Sequence, residues 1–182
     1  IVLFIKNKLD KINYVEIDID QVEINEGVNE KLEGYRTIAI LGLDTRFDEY
    51  GTGNNRSDCI MLVILNQKTK EINLVSVYRD TYFELPGKGL DIATHAYAYG
   101  GAELALSTLN TNLDLDITEF VTVNFNSVVD CVDALGGIEL DITSEEVKYI
   151  NGYIHELNWV TGKEVEDVTV SGRQHVNGVQ AV

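Results

Sequence analysis

The sequence predicts an α/β or α+β layered domain, and three observations carry that reading. Residues 36–44 and 59–66 are nearly continuous apolar runs, as strands buried in a sheet require. Residues 127–135 instead place Val128, Val129, Val132 and Leu135 at helical spacing. Segments of the two kinds alternate along the chain, which calls for layers packed around a common core.

The elements follow in order. Residues 15–22 alternate apolar and polar side chains and read as an exposed edge strand. The run at 36–44 is a buried strand ending in an acid, Asp44. Residues 45–57 are polar, carry Gly51, Gly53, Asn54 and Asn55, and read as a long functional loop. Residues 59–66 and 71–78 are strands joined by a turn at 67–70, a hairpin with Arg79 and Asp80 directly after it. Pro86, Gly87 and Gly89 make residues 84–89 a loop. Residues 93–99 and 102–109 read as two helices parted by Gly100-Gly101. A strand at 120–125 precedes the helix at 127–135, which Gly136-Gly137 terminates. Residues 138–142 are a strand, and residues 145–158 a helix turning Ile150, Ile154 and Leu157 inward. Residues 165–170 have no decisive period, and a short helix begins near Gly178.

Composition narrows the function. The 182 residues are 45% hydrophobic and 24% charged, a globular balance with a single proline and so no proline-rich seam. A formal net charge of −16 and the absence of any Lys/Arg cluster exclude nucleic acid, whose binding draws on clustered cations. A polyanionic ligand must then be held locally, by a few concentrated cations. Cys59 and Cys131 sit in apolar runs and are expected to be buried as small hydrophobes. His95, His155 and His175 lack metal-ligand spacing, and His175 is expected at the start of a helix. Asn55-Arg-Ser is a chance sequon, and neither a Walker loop nor Gly-x-Ser-x-Gly occurs.

Charged groups collect at strand ends. Asp44 and Arg46 follow the first buried strand, Arg56 and Asp58 precede the second, and Arg79 and Asp80 follow the third. If the second strand runs antiparallel to the other two, all six lie on one edge of the sheet. Arginine offers a planar donor fork for phosphate oxygens, and aspartate offers hard oxygen to magnesium. Such a set suits a metal-bridged pyrophosphate; ordinary salt bridges among the same groups are the alternative.

The motifs around these residues carry a resemblance. Ile40-Leu-Gly-Leu-Asp-Thr-Arg46, Arg56-Ser-Asp-Cys-Ile-Met-Leu62, Leu74-Val-Ser-Val-Tyr-Arg-Asp-Thr-Tyr82 and Ala96-Tyr-Ala-Tyr-Gly-Gly101 come first. Val121-Thr-Val-Asn-Phe125, residues 129–138 and Gly172-Arg-Gln-His-Val-Asn-Gly-Val-Gln-Ala181 follow. In this order across residues 36–182 they resemble the LytR-CpsA-Psr family. The resemblance implies a central mixed sheet flanked by helices, with a long apolar pocket for a polyprenyl chain. Residues 120–135 are the expected lining. It implies a phosphotransferase that moves a glycopolymer, such as teichoic acid or capsule polysaccharide, from a polyprenyl-pyrophosphate carrier to peptidoglycan, with Mg2+. By motif match Asp44 and Asp58 hold the metal, Arg46, Arg56 and Arg79 hold the pyrophosphate, and Arg56, Arg79 and Asp80 form the catalytic set. Asp80 acts either as a base or by orienting Arg79.

It further implies a catalytic domain at 36–182, cut short of an arginine-bearing C-terminal segment. Residues 1–35 are then a membrane-proximal linker and edge strand. The apolar residues 1–5, too few to span a bilayer, read either as the stump of an upstream membrane anchor or as a short strand. The expected location is the extracytoplasmic face of the membrane. Two departures stand out: Cys59 where the family usually has threonine, and Tyr78 where proline is usual. A hydrolase of the same lipid and a non-enzymatic lipid-binding regulator are the alternatives.

Overall fold

The computed structural model describes residues 14–45 and 55–182. Residues 1–5, Arg46 and the Gly51, Gly53 and Asn54 part of the expected loop lie outside the described residues. The central sheet has four strands in the order β3-β2-β1-β6: β1 (Tyr35–Leu43), β2 (Ser57–Asn66), β3 (Ile72–Val77) and β6 (Glu119–Val123). β2 is antiparallel to both β1 and β3, while β6 runs parallel to β1, so the sheet is mixed. Between β3 and β6 lie a hairpin, β4 (Tyr82–Leu85) with β5 (Gly89–Ile92), and a long helix. The hairpin occupies the segment expected to be a loop; its breakers Pro86 and Gly87 form the turn between two short strands.

A four-residue helix, α1 (Val28–Lys31), precedes the sheet, and the long helix is α2 (Ala93–Leu113). α2 breaks where the glycine pair predicts. Gly100 and Gly101 leave helical geometry, and Gly101 has φ +63°, a conformation that favours glycine. One face of β1 and β2 packs on α2. Ala39, Leu41, Leu43, Ile60 and Leu62 join Ala96, Ala105, Leu106 and Leu109 in one core. The opposite face, with Ile38, Ile40, Met61 and Val63, is only half buried, so β1 is not buried equally on both faces as expected. Alternation explains both cysteines as well. Cys59 falls on the half-buried face and Cys131 on the outer side of a helix, so both are exposed and free rather than buried.

The expected edge strand at 15–22 is instead extended chain leading into a 3-10 turn at Ile19–Gln21. Its backbone bonds run to α2 rather than to a strand. Asp18 N–H donates to Glu103 Oε1 (3.1 Å) and Glu23 N–H to Ser107 Oγ (2.9 Å). Asn25 Nδ2 donates to the Thr111 carbonyl (2.9 Å). Glu103, Ser107 and Thr111 recur one helical turn apart, so α2 supplies a ladder of its own. With Ile17 and Val22 packed on the same core, α2 is covered on two sides.

The C-terminal third gathers a second core around Val129, Ile154, Leu157, Val176 and Val179. Its elements are α3 (Phe125–Ala134), β7 (Ile138–Ile142), α4 (Glu146–Thr161), β8 (Gly172–Val176) and α5 (Gly178–Ala181). β7, expected from sequence, pairs antiparallel with β8 across the α4 connection; β8 was not expected, and His175 lies on it rather than at a helix start. Asn177 caps α5, and Gly178 N–H donates to Asp133 Oδ1 at 2.7 Å, which docks α5 on α3.

Two predictions follow from this packing. Asn110 is fully buried, donates to the Ile117 carbonyl (3.0 Å) and accepts from its N–H (2.8 Å), which holds the turn between α2 and β6. Asn110→Leu strands both backbone groups and is expected to lower stability by about 2–4 kcal/mol, read as a drop in urea midpoint at constant m-value. His175 is held between two acceptors: the Gly136 carbonyl at Nε2 (2.7 Å) and Glu139 Oε1 at Nδ1 (3.0 Å). Both favour the imidazolium, the Gly136 bond most, and raise its pKa above 6.5. The stabilisation is then complete below the ordinary imidazole pKa and is lost as pH rises through the raised value. The urea-midpoint advantage of the native chain over His175→Phe is expected to shrink on that rise.

Candidate functional site

The antiparallel order places the end of β1, the start of β2 and the end of β3 at one edge of the sheet. Asp44 N–H donates to the Arg56 carbonyl at 3.3 Å, tying the first two together. Register slips between Gly42 and Leu43: Gly42 faces Cys59, but Leu43 faces Ser57. Asp58 is therefore the extra residue of a β-bulge, a device that re-aims side chains at sheet rims.

Asp58 joins the third strand and α2. Arg79 Nη1 lies 2.9 Å from Asp58 Oδ2, and Thr94 Oγ1 donates to Asp58 Oδ1 at 3.1 Å. The backbone holds this arrangement. Ala93 N–H donates to the Thr81 carbonyl (2.8 Å) and Thr94 N–H to the Arg79 carbonyl (3.0 Å). The first amides of α2, unpaired within the helix, thus pin the Arg79–Thr81 turn. Asp80 Oδ2 is 3.6 Å from Arg79 Nε, a looser pairing, and its side chain is 70% exposed. Arg79 keeps half of its surface exposed despite both carboxylates, so its guanidinium faces solvent at the edge.

Beside this cluster a recess of ≈ 380 Å³ opens between the strand ends and α2, lined by Asp44, Arg56, His95, Ala98 and Tyr99. Of the six charged residues singled out from sequence, Asp44 and Arg56 line this recess, while Asp58, Arg79 and Asp80 form the adjoining cluster. Arg46 lies outside the described residues. His95 and Tyr99 were missed, since only the fold of α2 over the sheet edge brings them there. No residue of the expected lining at 120–135 borders the recess. Phe120 packs on the first core and Val129 in the second, so that stretch is spent on joining the two.

The donor set fits magnesium in kind. Asp44, just after β1, and Asp58, on β2, are hard-oxygen donors, though both Asp58 oxygens already accept from Arg79 and Thr94; magnesium takes one or two carboxylates plus phosphate oxygens. Ser57 Oγ, between Arg56 and Asp58, is buried with no partner among the described residues, so the edge has hydrogen-bonding capacity left over. No group of three or more His, Cys, Asp or Glu able to hold a metal occurs among the described residues, so phosphate oxygens would have to complete the shell.

Comparison with known proteins identifies the family. A family model described as the LytR_cpsA_psr family matches residues 1–182. The chain is 35% identical over 159 residues to the polyisoprenyl-teichoic acid–peptidoglycan teichoic acid transferase TagU of Bacillus cereus (strain AH820), covering 85% of this chain and 50% of that protein. The structure of the LytR-CPS2A-psr family protein YwtF (TagT) with bound octaprenyl pyrophosphate lipid matches with TM-score 0.59 and 28% identity, covering 93% of this chain and 58% of that one. TagT bound to LI-WTA matches with TM-score 0.60 and 28% identity, over 93% and 56%. The chain thus spans about half the length of the relatives it matches.

Proposed function

The chain belongs to the LytR-CpsA-Psr family, and on that premise we propose that it carries the phosphotransferase site that moves a glycopolymer from a polyprenyl-pyrophosphate carrier to peptidoglycan. The observation that carries this reading is the meeting of three strand ends: Arg79 held by Asp58 and Asp80 beside a recess lined by Arg56 and Asp44. In a chain of net charge −16, that is where anionic oxygens find concentrated cations. The named relatives, a teichoic acid transferase and a structure holding octaprenyl pyrophosphate, support the glycopolymer and the carrier. The reading places the domain on the extracytoplasmic face, at a membrane anchor upstream; no helix among the described residues is long and apolar enough to cross a bilayer.

Arg56 and Arg79 hold the pyrophosphate through their donor forks, with Arg46 a further candidate. Asp58, and more loosely Asp80, keep the Arg79 guanidinium at the edge; on this reading Asp80 orients Arg79. Asp44 and Asp58 would hold Mg2+, which when bound would neutralise charge on the pyrophosphate. The site works by position and electrostatics: donors fixed before reaction stabilise charge that moves onto the leaving phosphate.

A turnover assay with a lipid-linked pyrophosphate and a glycan acceptor tests the reading. The ion pairs of Arg79 are half exposed and worth at most about 1 kcal/mol to the fold, so Arg79→Ala should melt close to the native temperature. Its rate should fall roughly 30- to 1000-fold, the equivalent of about 2–4 kcal/mol of transition-state stabilisation, and Arg79→Lys should recover only part. A variant that melts early yet turns over normally marks the arginine as structural. Metal dependence is checked separately. Asp58→Asn keeps an acceptor for only one of its two donors, Arg79 and Thr94, and removes a charge, so activity should demand more magnesium. Full activity in excess chelator defeats the metal role.

A further inference from the structure

The recess holds a second polar set that the pyrophosphate does not use. Asp91 is on β5, and His95 and Tyr99 follow it at one-turn spacing on the first half of α2. Asp91 Oδ1 lies 3.0 Å from His95 Nδ1 and accepts from Ile92 N–H at 2.8 Å, while Oδ2 accepts from Tyr99 Oη at 3.0 Å. These bonds, that of Ile92 foremost, hold the Asp91 carboxyl below the usual carboxylate range. An ionised carboxylate only accepts, so Nδ1 of the neutral ring carries the proton and Nε2 keeps its lone pair. Tyr99 supports the ring from the side, with centroids 5.5 Å apart.

Nε2 has no hydrogen-bond partner among the described residues, although the ring lines the recess with Arg56 and Asp44. The His95 side chain is 23% exposed, enough to meet a ligand and little enough to stay fixed. Fastening of the first turn of α2 explains the bonds at Nδ1. It does not account for the ring lining the recess that Arg56 shares. Among the described residues, the charged and titratable groups around the ring are Asp91 from β5 and Tyr99 from α2, which bond to each other and to the ring, and Arg56 and Asp44, which line the same recess.

We propose that His95 is the general base of the transfer, positioned by Asp91 and Tyr99. The inference rests on the phosphotransferase reading and adds the group that activates the acceptor. The acceptor hydroxyl oxygen bonds to the phosphorus that bears the glycopolymer, and its proton passes to His95 Nε2. The bond from that phosphorus to the bridging oxygen breaks, and the electron pair leaves with polyprenyl phosphate. Asp91 balances the imidazolium until its proton returns to solvent, the role a carboxylate plays behind a catalytic histidine.

The test uses the full chain with a lipid-linked pyrophosphate and a glycan acceptor, and reads kcat, KM and pH profile together. His95→Gln is expected to lower kcat about 100- to 1000-fold, within the range of general-base catalysis. The KM for the lipid should change little, the acidic limb of the kcat profile should vanish, and added imidazole should restore part of the rate. Tyr99→Phe keeps the ring but loses one donor to Asp91, so it should shift that limb with a smaller loss of kcat; it also serves if His95→Gln folds poorly. Native kcat and an unaltered pH profile in either variant overturn the base assignment. If Arg79→Ala is still impaired in that case, the transferase reading stands without it. A native chain that turns over no lipid-linked pyrophosphate overturns both.

Discussion

The antiparallel placement of β2 between β1 and β3 is the constraint from which the site follows. It returns the chain to the same edge three times, so Asp44, Asp58 and Arg79 become neighbours although they are far apart in sequence. A parallel β2 would send Arg56 and Asp58 to the far edge. The pairing is held by burial: Leu41 and Leu62 are almost wholly covered, and each contributes on the order of 2 kcal/mol through transfer from water. A one-residue slip would turn these leucines to the half-buried face and move every charged group with them. The bulge at Asp58 is a local exception to that register, and it lies at the site.

α2 converts the sheet edge into a recess. Its first turn donates to the carbonyls of Arg79 and Thr81, and its Thr94 hydroxyl to Asp58. The glycine pair then bends the helix, so both halves bury Ala, Leu and Tyr side chains in the same core. The N-terminal segment and the β4–β5 hairpin pack along the helix. Asn112 bonds both backbone groups of Glu84, and the 103–111 ladder holds the other side. Stability far from the site thus fixes the positions of groups within it.

Electrostatics suits a small anion in an acidic protein. Surface carboxylates repel a phosphate ligand at long range, but salt screens them beyond roughly 10 Å. Close to the edge, two described arginines and the positive end of the α2 dipole shape the local field. His95 and Tyr99 line the same recess as Arg56, and Asp91 bonds both of them.

Sequence by itself determined the strands at 36–44, 59–66, 71–78 and 138–142, the glycine break in α2, and which charged residues end the strands. These are local matters of apolar period, turn chemistry and backbone freedom, all of which a single chain displays. It also determined the family, because several motifs in fixed order leave little room for coincidence. Tertiary structure alone decided the rest. The alternation at 15–22 suggested a strand, but α2 offered its backbone better partners than a sheet edge. Cys59 and Cys131 sat in apolar runs, yet only the choice of buried face showed that both are exposed. His95 had no motif spacing to other histidines. Its place beside Arg56 arises from helix packing over a strand end, a contact between residues 39 apart that no local pattern encodes.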